Sequence, residues 1–346
     1  MARKKSPKRG NKRRSSWRRF RLALGAAVLV MAVVHSAVSV WFVHHPRQWL
    51  DERRKGMPGF LYTPLLRVGN SVGDLTDAFG LTGHDVVYEF DQDPPSGQIH
   101  FAGAPIRTGS PAPNDIQVLN RGEFEIGWSP SLCHPVWCAY HVPKSAVHEA
   151  GKRPDFRKDA SARNAPNPSA YSGTHYDRGH MVPNYAIVTR FGEAMQKKTF
   201  LTSNIVPQTA ALNRGVWRDL EHRIAEFWSR RYGEIWVIVG CYGSNAAKRL
   251  PGSDVDVPEN FYMVVVCQQG LDLMAFAVDL PQTVGWNDYA ARSLITIDEL
   301  EAKTGLDFLP ELPEFISAPL EAELPTRLWP VNFADVFRQL ASRYSY

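Results

Sequence analysis

Hydrophobic positions along this chain fall into three patterns, and each predicts a different element. The first is a continuous run: residues 22–43, LALGAAVLVMAVVHSAVSVWFV, hold no Lys, Arg, Asp or Glu over 22 positions. As a helix that run is long enough to cross a bilayer core of ~30 Å. The second is alternation. Across 118–142 the strings VLNRGEFEIGWSP and WCAYHV switch between apolar and polar residues, which predicts two strands around a Pro-containing turn. The third is a stripe: Trp217, Leu220, Ile224, Phe227 and Trp228 recur at three- and four-residue spacing, predicting a helix over 212–232 that Gly233 ends. Three short β-rich apolar runs follow at 235–240, 261–267 and 271–278 and read as central strands. Between these elements, 144–172 is rich in Pro, Asn and Ser and predicts a surface loop, and beyond Leu309 the chain is Pro-punctuated with one short helix near 333–344. Strands on both sides of a helix, without regular βαβ alternation, give an α+β class.

Charge alters this picture once it is divided along the chain. The formal net charge is +5, from 40 Lys+Arg and 35 Asp+Glu. Eleven of the bases and none of the acids lie in residues 1–21, so 40 − 11 leaves 29 bases against 35 acids, and the remainder carries about −6. The basic excess therefore describes a tail and argues nothing for a polyanion-binding domain. A basic flank on an apolar run fixes its direction: Lys and Arg stay in the cytoplasm, and everything from His44 onward is expected on the far side of the membrane. Residues 22–43 read as a transmembrane signal anchor on length and flanking charge. Ala37-Val38-Ser39 also offers a small-x-small cleavage site, so a secreted protein with a cleaved signal peptide is the rival reading. The expected organisation is a basic cytoplasmic tail at 1–21, the anchor at 22–43, a juxtamembrane spacer at 44–85, the main folded domain at 86–310 and a C-terminal extension at 311–346.

The cysteines Cys133, Cys138, Cys241 and Cys267 form an even set, which an exported location permits to pair. Cys133 and Cys138 with His134 and His141 suggest zinc, but no second pair of close ligands stands elsewhere, so a local bridge or plain buried thiols is the expectation. No Gly-rich phosphate loop occurs, which excludes the common nucleotide-cofactor enzymes.

Two strings carry candidate chemistry. Asp177-Arg178-Gly179-His180 packs an acid, a base, a flexible position and an imidazole together. His180 is suited to general base catalysis near neutral pH, Asp177 can fix its tautomer, and the Arg178 fork can clamp a phosphate. The second string runs from Leu201-Thr202-Ser203-Asn204-Ile205-Val206-Pro207-Gln208 to Leu212-Asn213-Arg214-Gly215-Val216-Trp217-Arg218-Asp219-Leu220-Glu221. There Asn213 occupies the first turn of the predicted helix, ordinarily an N-cap place.

Together the strings DRGH, SN-x-x-PQ and LN-x-G-x-W-x-x-LE resemble, in order and spacing, the DNA/RNA non-specific endonuclease family. These are the ββα-metal (His-Me finger) nucleases, which include secreted bacterial sugar-non-specific nucleases and mitochondrial endonuclease G. The resemblance covers about 118–300. It implies a ββα-metal fold with a central, mainly antiparallel sheet, and a metal-dependent endonuclease that hydrolyses DNA and RNA with little sequence preference, leaving 5′-phosphates. It implies His180 as the general base that deprotonates the attacking water and Asn213 as the single protein ligand of a hydrated Mg²⁺, or another divalent cation such as Mn²⁺. Glu221 would hold the ion's waters, Asn204 would help order the site, Arg178 would contact phosphate or brace the loop, and Asp177 would orient the motif. An upstream Arg that stabilises the transition state is implied too, with Arg157 or Arg163 in that place. Arg214 joins them as a possible phosphate contact, and the strings Arg153, Arg157, Lys158, Arg163 and Arg214, Arg218, Arg223 must supply the basic groove. A catalytically silent, membrane-anchored nucleic-acid-binding protein on the same scaffold is the alternative, and a phosphodiesterase of small nucleotides or lipids is a third reading. A silent scaffold has no chemical need for both a general base and a metal ligand.

Overall fold

Residues 88–331 are described by the computed structural model apart from 90, 91, 96 and 244–247, all within the second of the chain's two compact units, Asp77–Tyr346. The anchor run 22–43, the spacer 44–85 and the short helix expected near 333–344 lie outside the described residues. Among the described residues no helix is long and apolar enough to cross a membrane.

In chain order the strands are β1 (Tyr88–Glu89), β2 (Ile106–Arg107), β3 (Gln117–Asn120), β4 (Phe124–Ser129), β5 (His134–Val142), β6 (Asp177–His180), β7 (Ile205–Gln208), β8 (Ile235–Tyr242), β9 (Asn260–Gln269), β10 (Asp272–Pro281), β11 (Leu294–Ile295) and β12 (Leu306–Asp307). The helices are α1 (Asn184–Thr199), α2 (212–232), α3 (Ile297–Thr304) and α4 (Glu314–Ala322). The main sheet runs β1-β10-β9-β8-β5-β4-β3 with β11 added to β10, and every pairing in it is antiparallel. This is the α+β architecture expected.

The three apolar runs after α2 read as unbroken because both faces of their strands are covered. Ala139, Ile238, Val264 and Ala277 share one face with Leu300 of α3 and Leu320 of α4. On the other face Trp217 and Trp228 of α2 stand edge-on to Phe261 and Phe276 at centroid distances of 5.9 and 5.5 Å. All five stripe residues of α2 are buried, and Gly233 ends the helix with φ 95°. The helix is not uniform: Leu212–Trp217 and Arg223–Trp228 are wide π turns separated by the α-helical turn Arg218–His222. Such widened turns concentrate at functional sites.

Three local expectations change. The alternation over 118–142 folds into three strands, not two: β3 turns back into β4 at Gly122, whose φ of 98° an L side chain rarely adopts. The polar–apolar rhythm continues through that turn and conceals it. The segment 144–172 is a loop, but a pinned one. Trp128 donates its indole N–H to the Arg163 carbonyl at 2.7 Å, and the buried Asp159 accepts from Arg121, Ser161 and Ser203. Finally α1, α3 and α4 appear where the sequence offered no helix. Gly192, at φ 79°, breaks α1 in the middle, and the buried Arg190 fastens it by donating to the Pro143 carbonyl, the Ala225 carbonyl and Ser229 Oγ. Thr296 caps α3 by accepting from Glu299 N–H at 3.0 Å.

The four cysteines are free, buried thiols. With no trio of Cys, His, Asp or Glu converging around them among the described residues, they are small packing residues, the second of the two outcomes expected.

Candidate active site

The motif Asp177-Arg178-Gly179-His180 is a strand, not a loop. β6 pairs antiparallel with β7, Asp177 opposite Gln208 and His180 opposite Ile205, and β7 leads directly into α2. The two strings of the sequence therefore meet as strand, strand and helix. Gly179 is required by closeness: a Cβ there would stand 2.1 Å from Gln208 Oε1.

His180 ends β6 and is 8% exposed. Phe200 stands edge-on to its ring at 4.8 Å and Phe156 lies tilted against it at 5.4 Å. Each phenyl ring carries an arginine in turn, Arg153 over Phe200 at 5.6 Å and Arg178 over Phe156 at 5.4 Å. His180 Nε2 is buried and makes no hydrogen bond with the described residues. Burial, assisted by the Arg153 charge, lowers the imidazole to about 3. The ring is thus neutral at physiological pH, the form that can take a proton.

Asn204 sits behind this cage, fully buried. Its Oδ1 accepts from Val182 N–H at 2.9 Å, and its Nδ2 donates to the Val182 and Thr199 carbonyls at 3.0 and 2.9 Å. These three bonds go to backbone just after His180 or at the end of α1, and the buried Cys138 thiol approaches Oδ1 at 4.0 Å, so Asn204 orders the chain rather than facing solvent.

Asp177 organises the start of α2. It accepts from Asn213 Nδ2 at 3.0 Å and from Arg214 Nε and Nη2 at 2.7 and 2.5 Å. Although burial opposes ionisation, these bonds and the Arg214 charge hold its carboxyl below the usual range. An ionised carboxylate only accepts, so Asn213 must present its amide N–H₂ to Asp177 and keep Oδ1 as a free-facing acceptor. Asn213 does not cap the helix. Its own N–H donates to the Thr209 carbonyl at 2.9 Å. One turn pair further on, the half-buried Glu221 is pushed up to about 8 by desolvation, against the pull of Arg153 and Arg218.

The other arginines separate by place. Arg178 donates to the Pro168 carbonyl at 3.1 Å and to Ser172 Oγ at 2.8 Å, so it braces the loop. Arg157 is exposed and bonded to Phe200 and Thr202 through its backbone. Arg163 is exposed, its backbone tied to Trp128 and Gln117. Arg214 is committed to Asp177. Arg153 is the arginine whose charge reaches both His180 and Glu221. It was visible in the sequence only as one base in a polar string, and Phe156 and Phe200 carried no signal beyond being apolar residues at loop and helix ends.

A divalent ion fits these residues. The amide oxygen of Asn213, turned away from Asp177, is a neutral oxygen donor of the kind a hard cation takes while keeping most of its water, and Glu221 follows two turns along the same helix.

The profile of the DNA/RNA non-specific endonuclease family matches residues 102–315. A nuclease of Nostoc sp. is 30% identical over 222 residues, covering 61% of this chain and 79% of the relative. The mitochondrial nuclease EXOG of Xenopus laevis is 27% identical over 210 residues, and there the chain spans only 56% of the relative's length. Mitochondrial endonuclease G of Bos taurus is 23% identical over 243 residues and is covered to 79%. Among solved structures, a chain of the EndoG/EndoGI complex superposes with a TM-score of 0.52 at 22% identity, covering 57% of this chain and 87% of that one, a likeness of fold. With more than half of its length matched by that profile, the chain belongs to the DNA/RNA non-specific endonuclease family.

Proposed function

We propose that the chain is a metal-dependent endonuclease of the ββα-metal type that hydrolyses phosphodiester bonds of DNA and RNA with little sequence preference. The observation that carries this reading is the pairing of a caged, neutral His180 with an Asn213 turned by Asp177 at the head of the adjoining helix. His180 acts as general base: its ring is held by Phe156 and Phe200 in the one protonation state that accepts a proton from the attacking water. Arg153 fills the place for which Arg157 and Arg163 stood as candidates, binding the phosphate beside His180. Asn213 Oδ1 would hold Mg²⁺ or Mn²⁺, and Glu221 would orient the water around it. When bound, the ion supplies positive charge against the phosphate and the leaving oxygen. Because these groups address the sugar-phosphate backbone, base identity contributes little.

In the same reading the run 22–43 tethers the domain outside the cytoplasm or exports it, which a topology reporter fused after residue 346 tests. Cleavage itself is tested by incubating the full-length chain with plasmid and with RNA, in Mg²⁺ or EDTA, beside His180→Ala and Asn213→Ala. Both substrates should be cut in Mg²⁺ only, with losses of at least ~100-fold in each variant. Cutting that persists in EDTA or in either variant would overturn the mechanism, and binding without cutting would establish the silent alternative.

A further inference from the structure

We propose that Asp298, Glu301 and Glu321 form a calcium site that clamps α3 to α4, on the sheet face opposite α2. Asp298 and Glu301 lie three positions apart on one face of α3, and Glu321 comes from the last turn of α4. One carboxylate oxygen of each lies within 4.8 Å of the other two. A calcium ion sits at roughly 2.3–2.6 Å from each oxygen ligand, so two ligands across it stand up to about 5 Å apart and the spacing is accommodated. Three direct carboxylates on one side suit Ca²⁺ better than Mg²⁺, which gives up its water reluctantly. Asp298 is exposed, leaving an entry path and room for the ion's remaining waters.

Acidic clusters on protein surfaces commonly hold nothing. Glu321 sets this one apart. It is 8% exposed, has no hydrogen-bond partner among the described residues, and points its carboxylate at two other acids. The charged groups acting on it are Glu301, Asp307, Asp298 and Glu314, with no lysine or arginine among them. Lys303 of α3 is turned instead to Asp279 and Glu299 at 3.2 and 3.4 Å. Glu301 is fixed in place by the Phe308 N–H, which donates to its Oε1 at 2.8 Å. Burial and the neighbouring acids push Glu321 up to about 8 and Glu301 up to about 7, the repulsion that a divalent ion would relieve. Beneath the cluster Leu300, Ile316, Leu320 and Phe308 belong to one core, so an ion there would cross-link the layer that covers that face of the sheet.

This inference does not depend on the nuclease reading. Its test is thermal melting and calorimetric titration of the EDTA-stripped, full-length chain with CaCl₂, beside MgCl₂. At free calcium about 100-fold above Kd the melting temperature should rise by roughly 5–10 °C, with Mg²⁺ giving less. Glu321→Gln should abolish the calcium shift, and Asp298→Asn, on the exposed rim where folding is not at stake, should weaken calcium binding at least ~10-fold. Mg²⁺-supported cleavage should stay within about twofold of the unmodified chain in both. No calcium shift in the unmodified chain, or a full shift in both variants, would overturn the proposal. Melting that follows pH but not calcium would overturn it too, by showing Glu321 to carry a proton.

Discussion

Asp177 and Asn213, 36 positions apart, share a 3.0 Å hydrogen bond that decides which end of the Asn213 amide faces outward. Asp177→Asn removes the acceptor-only partner and lets the Asn213 amide turn over. Such orienting partners typically contribute 10–100-fold in metal affinity. In Asp177→Asn the Mg²⁺ concentration for half-maximal cleavage should therefore rise about 10- to 100-fold, while the rate at saturating Mg²⁺ falls less. A drop in rate with no change in the Mg²⁺ requirement would show that Asp177 acts elsewhere.

Arg153 should separate from the two arginines that the sequence favoured. Arg153→Ala should lower kcat by about 10²–10³-fold, as loss of a positioned charge at the reacting phosphate does. Arg157 and Arg163 have exposed side chains and make their hydrogen bonds through the backbone, so Arg157→Ala and Arg163→Ala should cost less than tenfold and mainly in KM. The pH profile gives a second readout. Arg153 helps to lower the His180 imidazole, so its removal should move the acid limb of kcat/KM to higher pH.

Glu221 carries a cost that should be visible in stability. Its carboxyl titrates near 8 in the folded chain and near 4.3 in an unfolded one. Between those values the folded state holds a proton that the unfolded state does not, so stability falls as pH rises through the window and levels off above 8. Glu221→Gln removes that dependence. In EDTA its melting temperature should exceed that of the unmodified chain at pH 8, and the gap should close toward pH 5. Cleavage should fall at every pH.

Asn204 and Gly179 hold the motif from behind. Asn204→Ala strands backbone groups at Val182 and Thr199 in a buried place, and each unsatisfied group costs about 1–3 kcal/mol. Chemical denaturation should show a loss of several kcal/mol. Gly179→Ala forces a methyl into Gln208 and should separate β6 from β7, with cleavage lost before global unfolding. Native-state hydrogen exchange at Val206 and Ile205 would report that separation.

What the sequence could reveal followed from how local each signal is. The α2 stripe and the runs of β8 to β10 were legible because burial imposes a period on neighbouring residues. Gly122 was hidden since a turn of three residues preserves alternation, and α1 was hidden because Gly192 interrupts its pattern. His180 and Asn213 were readable as strings. Phe156, Phe200 and Arg153 were not, because what makes them matter is a ring cage assembled from two separate segments, and no spacing encodes it. For Arg178 the string left two roles open, phosphate contact or bracing the loop, and its fork is occupied by Pro168 and Ser172, as the second requires.

The pairing of His180 with Ile205 joins positions 205 − 180 = 25 apart, with α1 looped out between them. A ladder of four pairs that closes so long a loop gains little by itself. The looped-out α1 is fastened by the buried Arg190, which donates to the Ala225 carbonyl and Ser229 Oγ of α2 and to the Pro143 carbonyl just after β5. The short β6–β7 pair thus borrows its geometry from an anchor in neither strand, and weakening Arg190 should loosen both strings without altering a residue of either.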